Sequence, residues 1–146
     1  MTEVDPDAMQ RRFRENPIHA LLGIEILPFD EAQPLAAAAT MRVGPNSYGS
    51  VTDDLHGGAI ATLVDVACAT AAARGISYER GAATIVTHDM HVRYLGRARA
   101  DVARCDAKVV KAGSRSIVVE GTVTDAAGNL VASCDTSYML VRLEPG

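Results

Sequence analysis

Between His56 and Arg74 the chain runs GGAIATLVDVACATAAA, a stretch in which Asp65 is the only charged side chain. Its apolar residues fall all round a helical wheel rather than along one stripe, the pattern of a helix buried on every side. A lone carboxylate on such a helix is costly unless something offsets it, which marks Asp65 as a functional candidate. The helix opens with His56-Gly57-Gly58. Glycines there admit a ligand or a second backbone at close range and bring unpaired N–H groups to a helix N-terminus. An acid and a backbone anion site on one element are two parts of an acyl-transfer centre.

The chain has 146 residues, the size of a single domain with a real core. A formal charge of −4 argues against a nucleic-acid binder, which would present a basic face. Cys68, Cys105 and Cys134 are odd in number and form no CxxC pair. They read as reduced thiols rather than as a disulfide frame or zinc site. The segment MTEVDPDAMQRRFRENP is charged and lacks the apolar run of a signal peptide. The longest apolar run is broken by Asp65 and is Ala-rich, a poor membrane span. The expectation is a soluble, cytoplasmic protein.

Residues 1–16 read as a polar tail or short helix, with Asp5 as N-cap, Pro6 at the first helical position and Pro17 as the stop. Residues 17–146 form the domain. Strand patterns cover 23–30 and 34–43, a loop covers 44–54, and the apolar helix covers 57–74. Beyond it the period changes to two over 83–94, 98–110, 114–124 and 130–143. The separators Leu95-Gly96-Arg97, Lys111-Ala112-Gly113 and Ala127-Gly128-Asn129 read as turns, which predicts a four-stranded antiparallel meander. The fold class is α+β, about six antiparallel strands wrapped around one long helix. One helix covers one face of such a sheet, so the remaining apolar surface predicts oligomerisation.

The sequence N46SYGS…LHGGAIATLVDVA, then THDMHVRYLGRARAD, then KVVKAGSRSIVVEGTVTDAAGNLVAS resembles the hotdog-fold acyl-CoA thioesterases. Within them it is similar to the phenylacetic-acid-degradation (PaaI-type) branch and to thioesterase superfamily member 2. The resemblance implies a helix wrapped by a sheet, paired sheets in a homodimer, dimers joined into a homotetramer, and sites combining residues of two chains. It implies Asp65 as nucleophile or general base and the Gly57 N–H as the group that polarises the thioester carbonyl. His56 and Thr87 match accessory positions, Thr87 where a Ser or Thr positions water, and Asn46 matches an Asn shortly before the glycines. This chain carries the extra residues Val51-Thr52-Asp53-Asp54 in that interval. The implied partner is an acyl-CoA substrate with an aromatic or medium-chain acyl group. No cofactor is implied, coenzyme A being part of the substrate, and neither nucleic acid nor membrane is.

The residues also allow plainer readings. Asp65 can be a structural acid tied to backbone, His56 can simply orient the helix start, and Thr87 can be an ordinary strand threonine on the face of Asp89, His91 and Arg93. His88 and His91 sit three apart in a strand and point to opposite faces, a poor metal grip, so no metal is expected. Cys68 reads as a small core residue, with no base beside it on the helix. Arg97 and Lys111, among the cations at the meander turns, are the candidates for coenzyme A phosphates. Competing functions are a hotdog protein that binds acyl-CoA without turnover, a hotdog dehydratase or hydratase, and a purely structural role. A dehydratase pairs a His with its acid, and this helix offers no His beyond His56. A structural role leaves Asp65 unexplained.

Overall fold

The computed structural model describes residues 6–76, 84–98 and 101–142. Helix α1 (Pro6–Glu15) is followed by α2 (Pro17–Leu22), which the sequence reading missed. Pro17 stops α1 as expected, but it also occupies the first position of α2, where its missing N–H costs nothing. The Asn16 side chain caps α2 by accepting from the Ile18 N–H at 3.1 Å. Asp5, expected as the cap of α1, lies outside the described residues.

The strands are β1 (Glu25–Ile26), β2 (Ala36–Arg42), β3 (Thr84–Tyr94), β4 (Val102–Ala112), β5 (Ser116–Asp125) and β6 (Leu130–Val141), and α3 spans Gly57–Arg74. They form one antiparallel six-stranded sheet around α3, in the order β1-β2-β4-β5-β6-β3. This is the hotdog arrangement. The strand expected over 23–30 shrinks to two residues, because Pro28 has no N–H to continue the ladder.

The four-stranded meander is corrected. Only β4, β5 and β6 run in meander order, while β3 crosses the sheet to pair with β6, and β4 pairs with β2. The Gly96 signal is real but is not a hairpin turn. Leu95 and Gly96 both donate to the Val131 carbonyl, laying the chain across the start of β6. A Cβ at Gly96 would come within 2.7 Å of the Leu130 carbonyl oxygen. The glycine is there for close approach of two backbones.

The inward faces of β2 (Ala37, Ala39, Met41) and β4 (Ala103, Cys105, Ala107, Val109) are buried with Ala67, Ala71 and Ala72 of α3. Small side chains on both partners let helix and sheet approach closely. That explains an alanine run in a strand against its local propensity. Leu63 and Val64 of α3 join Ile117, Val119, Val123 and Val131 in the same fully enclosed core. By length and composition α3 could also cross a membrane, but here the faces of β2 to β6 pack on it.

α3 is not enclosed all round, contrary to the expectation from its wheel. Ala61, Thr62, Asp65 and Ala69 are half-buried and Gly58 is exposed, a strip of small residues beside β3. β3 is an edge strand and is exposed along nearly all its length. Its register with β6 shifts between Thr87 and Asp89, leaving His88 as the extra residue of a bulge. Thr87 therefore pairs with inward-facing Tyr138, whereas Asp89, His91 and Arg93 oppose Ser137, Asp135 and Ser133 on the outer face. The expectation that Thr87 shares a face with those three is overturned by the bulge.

Substituting Gly96→Ala is expected to destabilise the protein by about 1–3 kcal/mol, since two backbones must part to admit a methyl group. Urea unfolding of the variant against the parent chain checks this.

Candidate active site

The site is assembled at the start of α3. His56 is its N-cap, in an extended conformation, and the Nδ1 atom accepts from the Gly58 N–H at 2.9 Å. The Ala59 and Ile60 N–H groups both bond to the His56 carbonyl. Of the four first-turn amides, three are thus engaged, and the Gly57 N–H has no partner among the described residues. An unengaged amide at a helix N-terminus is a ready anion or oxyanion donor. His56 is thus the helix cap, with Nδ1 as the acceptor.

Tyr94, which sequence reasoning passed over, closes the other side of this turn. Its hydroxyl donates to the Gly57 carbonyl at 3.0 Å. A Cβ at Gly57 would meet the Tyr94 ring at 3.5 Å, so the ring walls the glycine.

Two turns further on, Asp65 faces the β3 edge. Thr87 Oγ1 donates to Asp65 Oδ1 at 2.9 Å, and Tyr138 OH donates to the same oxygen at 3.1 Å. Oδ2 has no hydrogen-bond partner among the described residues, and no buried polar side-chain atom there lacks one, so Oδ2 reaches the surface. One oxygen is held and the other is open, along the strip of small residues. Asp65 is half-buried rather than enclosed.

Eight residues of helix separate Gly57 from Asp65, about 12 Å along the axis. A carbonyl that accepts one amide and is attacked at about 3 Å needs its partners within about 6–8 Å, even with a water between. Within one chain the two groups cannot act on the same atom.

The remaining candidates are dispersed. Asn46 is exposed and its amide donates to the Leu21 carbonyl at 3.2 Å, while its neighbour Ser47 accepts from the His56 N–H at 2.7 Å, beside the start of α3. The extra residues Val51–Asp54 form the tip of that loop, closed by pairing of Tyr48 with Leu55. Asp54 at its base pairs with Arg97 at 3.3 Å. Lys111 lies opposite Val118, at the far end of the sheet from Arg97. Their separation along β6 exceeds about 17 Å. The two cations expected to share one phosphate patch do not meet within a chain.

The three cysteines are free and buried, with Cys68 Sγ 3.9 Å from Cys134 Sγ. The Cys105 thiol favours a Cys68 thiolate, but the Cys134 sulfur and burial outweigh it and push the Cys68 thiol up to about 12. That leaves it no thiolate nucleophile. The described residues contain no cluster of His, Cys, Asp and Glu that could hold a metal. A large groove of about 870 Å³ lies on the outer face of the sheet, between the 27–33 segment and the charged ladder of Arg93, Arg104, Asp106, Lys108, Glu120 and Asp135. It is lined by none of the residues around Asp65 or Gly57.

Comparison with known proteins gives the family and the fold. The model of the thioesterase superfamily matches residues 53–132, which take in α3 and β3 to β5. A Halobacterium salinarum protein whose name calls it a candidate esterase is 40% identical over 102 residues, 66% of each chain. The chain thus spans 66% of that relative's length. A thioesterase of Haemophilus influenzae has the same fold, with a TM-score of 0.82 over 98% of this chain and 95% of its own, at 20% identity. A Bacillus halodurans protein solved with CoA gives a TM-score of 0.75 at 25% identity, over 92% of this chain and 82% of its own.

His56→Ala is expected to destabilise the protein by about 0.5–2 kcal/mol, and His56→Asn by much less, since Asn keeps a capping acceptor. Denaturant unfolding of the two variants side by side separates the outcomes.

Proposed function

The chain belongs to the thioesterase superfamily, and on that premise we propose that it is an acyl-CoA thioesterase whose reacting groups come from two copies of the chain. The observation that carries this reading is that Oδ2 of Asp65 and the Gly57 N–H are both open, on one helix, too far apart to serve the same carbonyl. A two-fold axis passing near Ala61, midway between them, sets the Asp65 of one chain beside the partner's Gly57. The small residues Gly58, Ala61 and Thr62 let the two α3 helices approach, and the exposed β3 edges supply unpaired backbone for joining the sheets. Further pairing of dimers into a tetramer is part of the same proposal.

In that site the thioester oxygen accepts the partner's Gly57 amide, and the helix N-terminus stabilises the negative charge that develops there. Asp65 Oδ2 either attacks the carbonyl carbon, giving an anhydride that water cleaves, or takes a proton from a water that attacks. Coenzyme A leaves as a thiolate, so no strong general acid is needed. The CoA-bound Bacillus halodurans structure supports a CoA ester as substrate. The resemblance to PaaI-type enzymes supports an aromatic or medium-chain acyl group. Arg97 lies at the Gly57 end of the site, and a CoA phosphate there would exchange with Asp54.

Hydrolysis is followed by loss of thioester ultraviolet absorbance across phenylacetyl-, hydroxybenzoyl- and C2 to C16 acyl-CoA. Asp65→Asn is expected to lose at least about 100-fold, some 2.7 kcal/mol of transition-state stabilisation. Equal turnover by both proteins would make Asp65 structural. Binding of acyl-CoA without wild-type turnover would make this a binding protein.

Gly57→Pro removes the N–H and puts ring carbons in its place, in van der Waals reach of the Tyr94 ring. Proline suits the first helical position, and the extended His56 (φ −63, ψ 134) already has the backbone that a following proline requires. The variant should fold yet lose about 100–1000-fold in kcat. Co-refolding equal amounts of Asp65→Asn and Gly57→Pro chains should restore about one quarter of the wild-type sites, the statistical share carrying both intact groups. No recovery on mixing would rule out the shared site.

A further inference from the structure

Tyr138 bears on how this site works, although nothing in the family resemblance assigns it a role. It lies on β6, 1% exposed, and is among the largest fully buried side chains. Tyrosine hydroxyls buried in a core need a partner, and this one finds two atoms of a single residue. Its OH lies 3.1 Å from Asp65 Oδ1 and 3.1 Å from the Asp65 carbonyl oxygen. Both are acceptors, so its single proton is shared between the carboxylate and the backbone of the helix that carries it.

We infer that Tyr138 is the positioning residue of the site: by holding Asp65 Oδ1 from beneath while Thr87 holds it from the strand edge, it fixes the carboxylate rotamer and leaves Oδ2 as the reacting oxygen. This rests on the reading of Asp65 given above.

The two donors divide the work by their surroundings. Thr87 reaches the carboxylate from the edge strand β3. Tyr138 is enclosed by the core, so its bond is made in a low-dielectric setting where a charge-assisted contact is stronger. Burial, reinforced by the Cys68 sulfur and the Asp65 carboxylate, holds the phenol far above its ordinary value. It is neutral, with its proton available for donation, throughout the working pH range. A carboxylate free to rotate would exchange its two oxygens between the core and the open strip. Pinned as it is, only one oxygen can attack a carbonyl or take a proton from water, and its direction is set by the core. Tyr138 touches neither substrate nor water in this arrangement. It acts through Asp65.

The test compares kcat and KM for wild type, Tyr138→Phe, Thr87→Val, the double variant and Asp65→Asn, with melting curves alongside. Tyr138→Phe keeps the ring in the core and is expected to lose about 10–100-fold in kcat with KM within about twofold, since a misdirected group costs rate rather than binding. Thr87→Val should lower kcat at little-changed KM in the same way, and it tests the commitment of Oδ1 even if the core variant folds poorly. Because both donors hold the same oxygen, the double variant should lose more than the product of the single losses. A folded Tyr138→Phe protein with wild-type kcat, beside an inactive Asp65→Asn, overturns the role of Tyr138 alone. Wild-type turnover by Asp65→Asn overturns the reading of the acid on which it rests.

Discussion

A curled sheet covers only part of the circumference of a helix, and the sector it leaves open decides most of what this molecule can do. On α3 the covered sector is filled by alanines and branched residues meeting the alanines of β2 and β4. The open sector carries Gly58, Ala61, Thr62, Asp65 and Ala69, residues too small to shield the helix themselves. An apolar helix flank and an unpaired strand edge lying side by side form a surface that a second polypeptide satisfies better than water. The same sector holds Asp65. In the proposed dimer the acid stands where the partner's backbone arrives.

The helix start and the acid are prepared in opposite ways. At the start, nearly every backbone donor is consumed: His56 takes one amide, its own carbonyl takes two more, and Gly57 is left over. At the acid, the side chain is half-consumed, one oxygen saturated and one bare. Each end of the site is thus reduced to a single available group of defined direction. Such preorganisation lowers the reorganisation required when charge develops.

Much of this was legible in the chain itself. The helix runs from Gly57 to Arg74 as its composition indicates, because no residue between them breaks it and His56 can cap it. Strand spans were readable from period two, but their partners were not: the return of β3 to β6 depends on the core that α3 needs covered, and Gly96 served a crossing rather than a turn. Thr87 was reachable through the family resemblance, while its face was not, since a bulge leaves no composition signal. Tyr138 and Tyr94 lay out of reach because an aromatic residue in a strand reads as core. Their hydroxyls find partners 73 and 37 residues away. Arg97 and Lys111 were grouped by sequence neighbourhood, and strand pairing separates them.

The bulge at His88 also settles a question of parity. Tyr94 and Thr87 are seven positions apart, an odd interval, and in an unbroken strand they would point to opposite sides of the sheet. One would reach the helix and the other the solvent. The extra residue shifts the phase once, so both face inward, Tyr94 on the carbonyl of Gly57 and Thr87 on the carboxylate of Asp65. The extra residue thereby allows a single strand to reach both the first turn and the middle of the helix. The spacing between the two functional ends is written into the backbone as a count, and one residue more or fewer would send half of it out into the water.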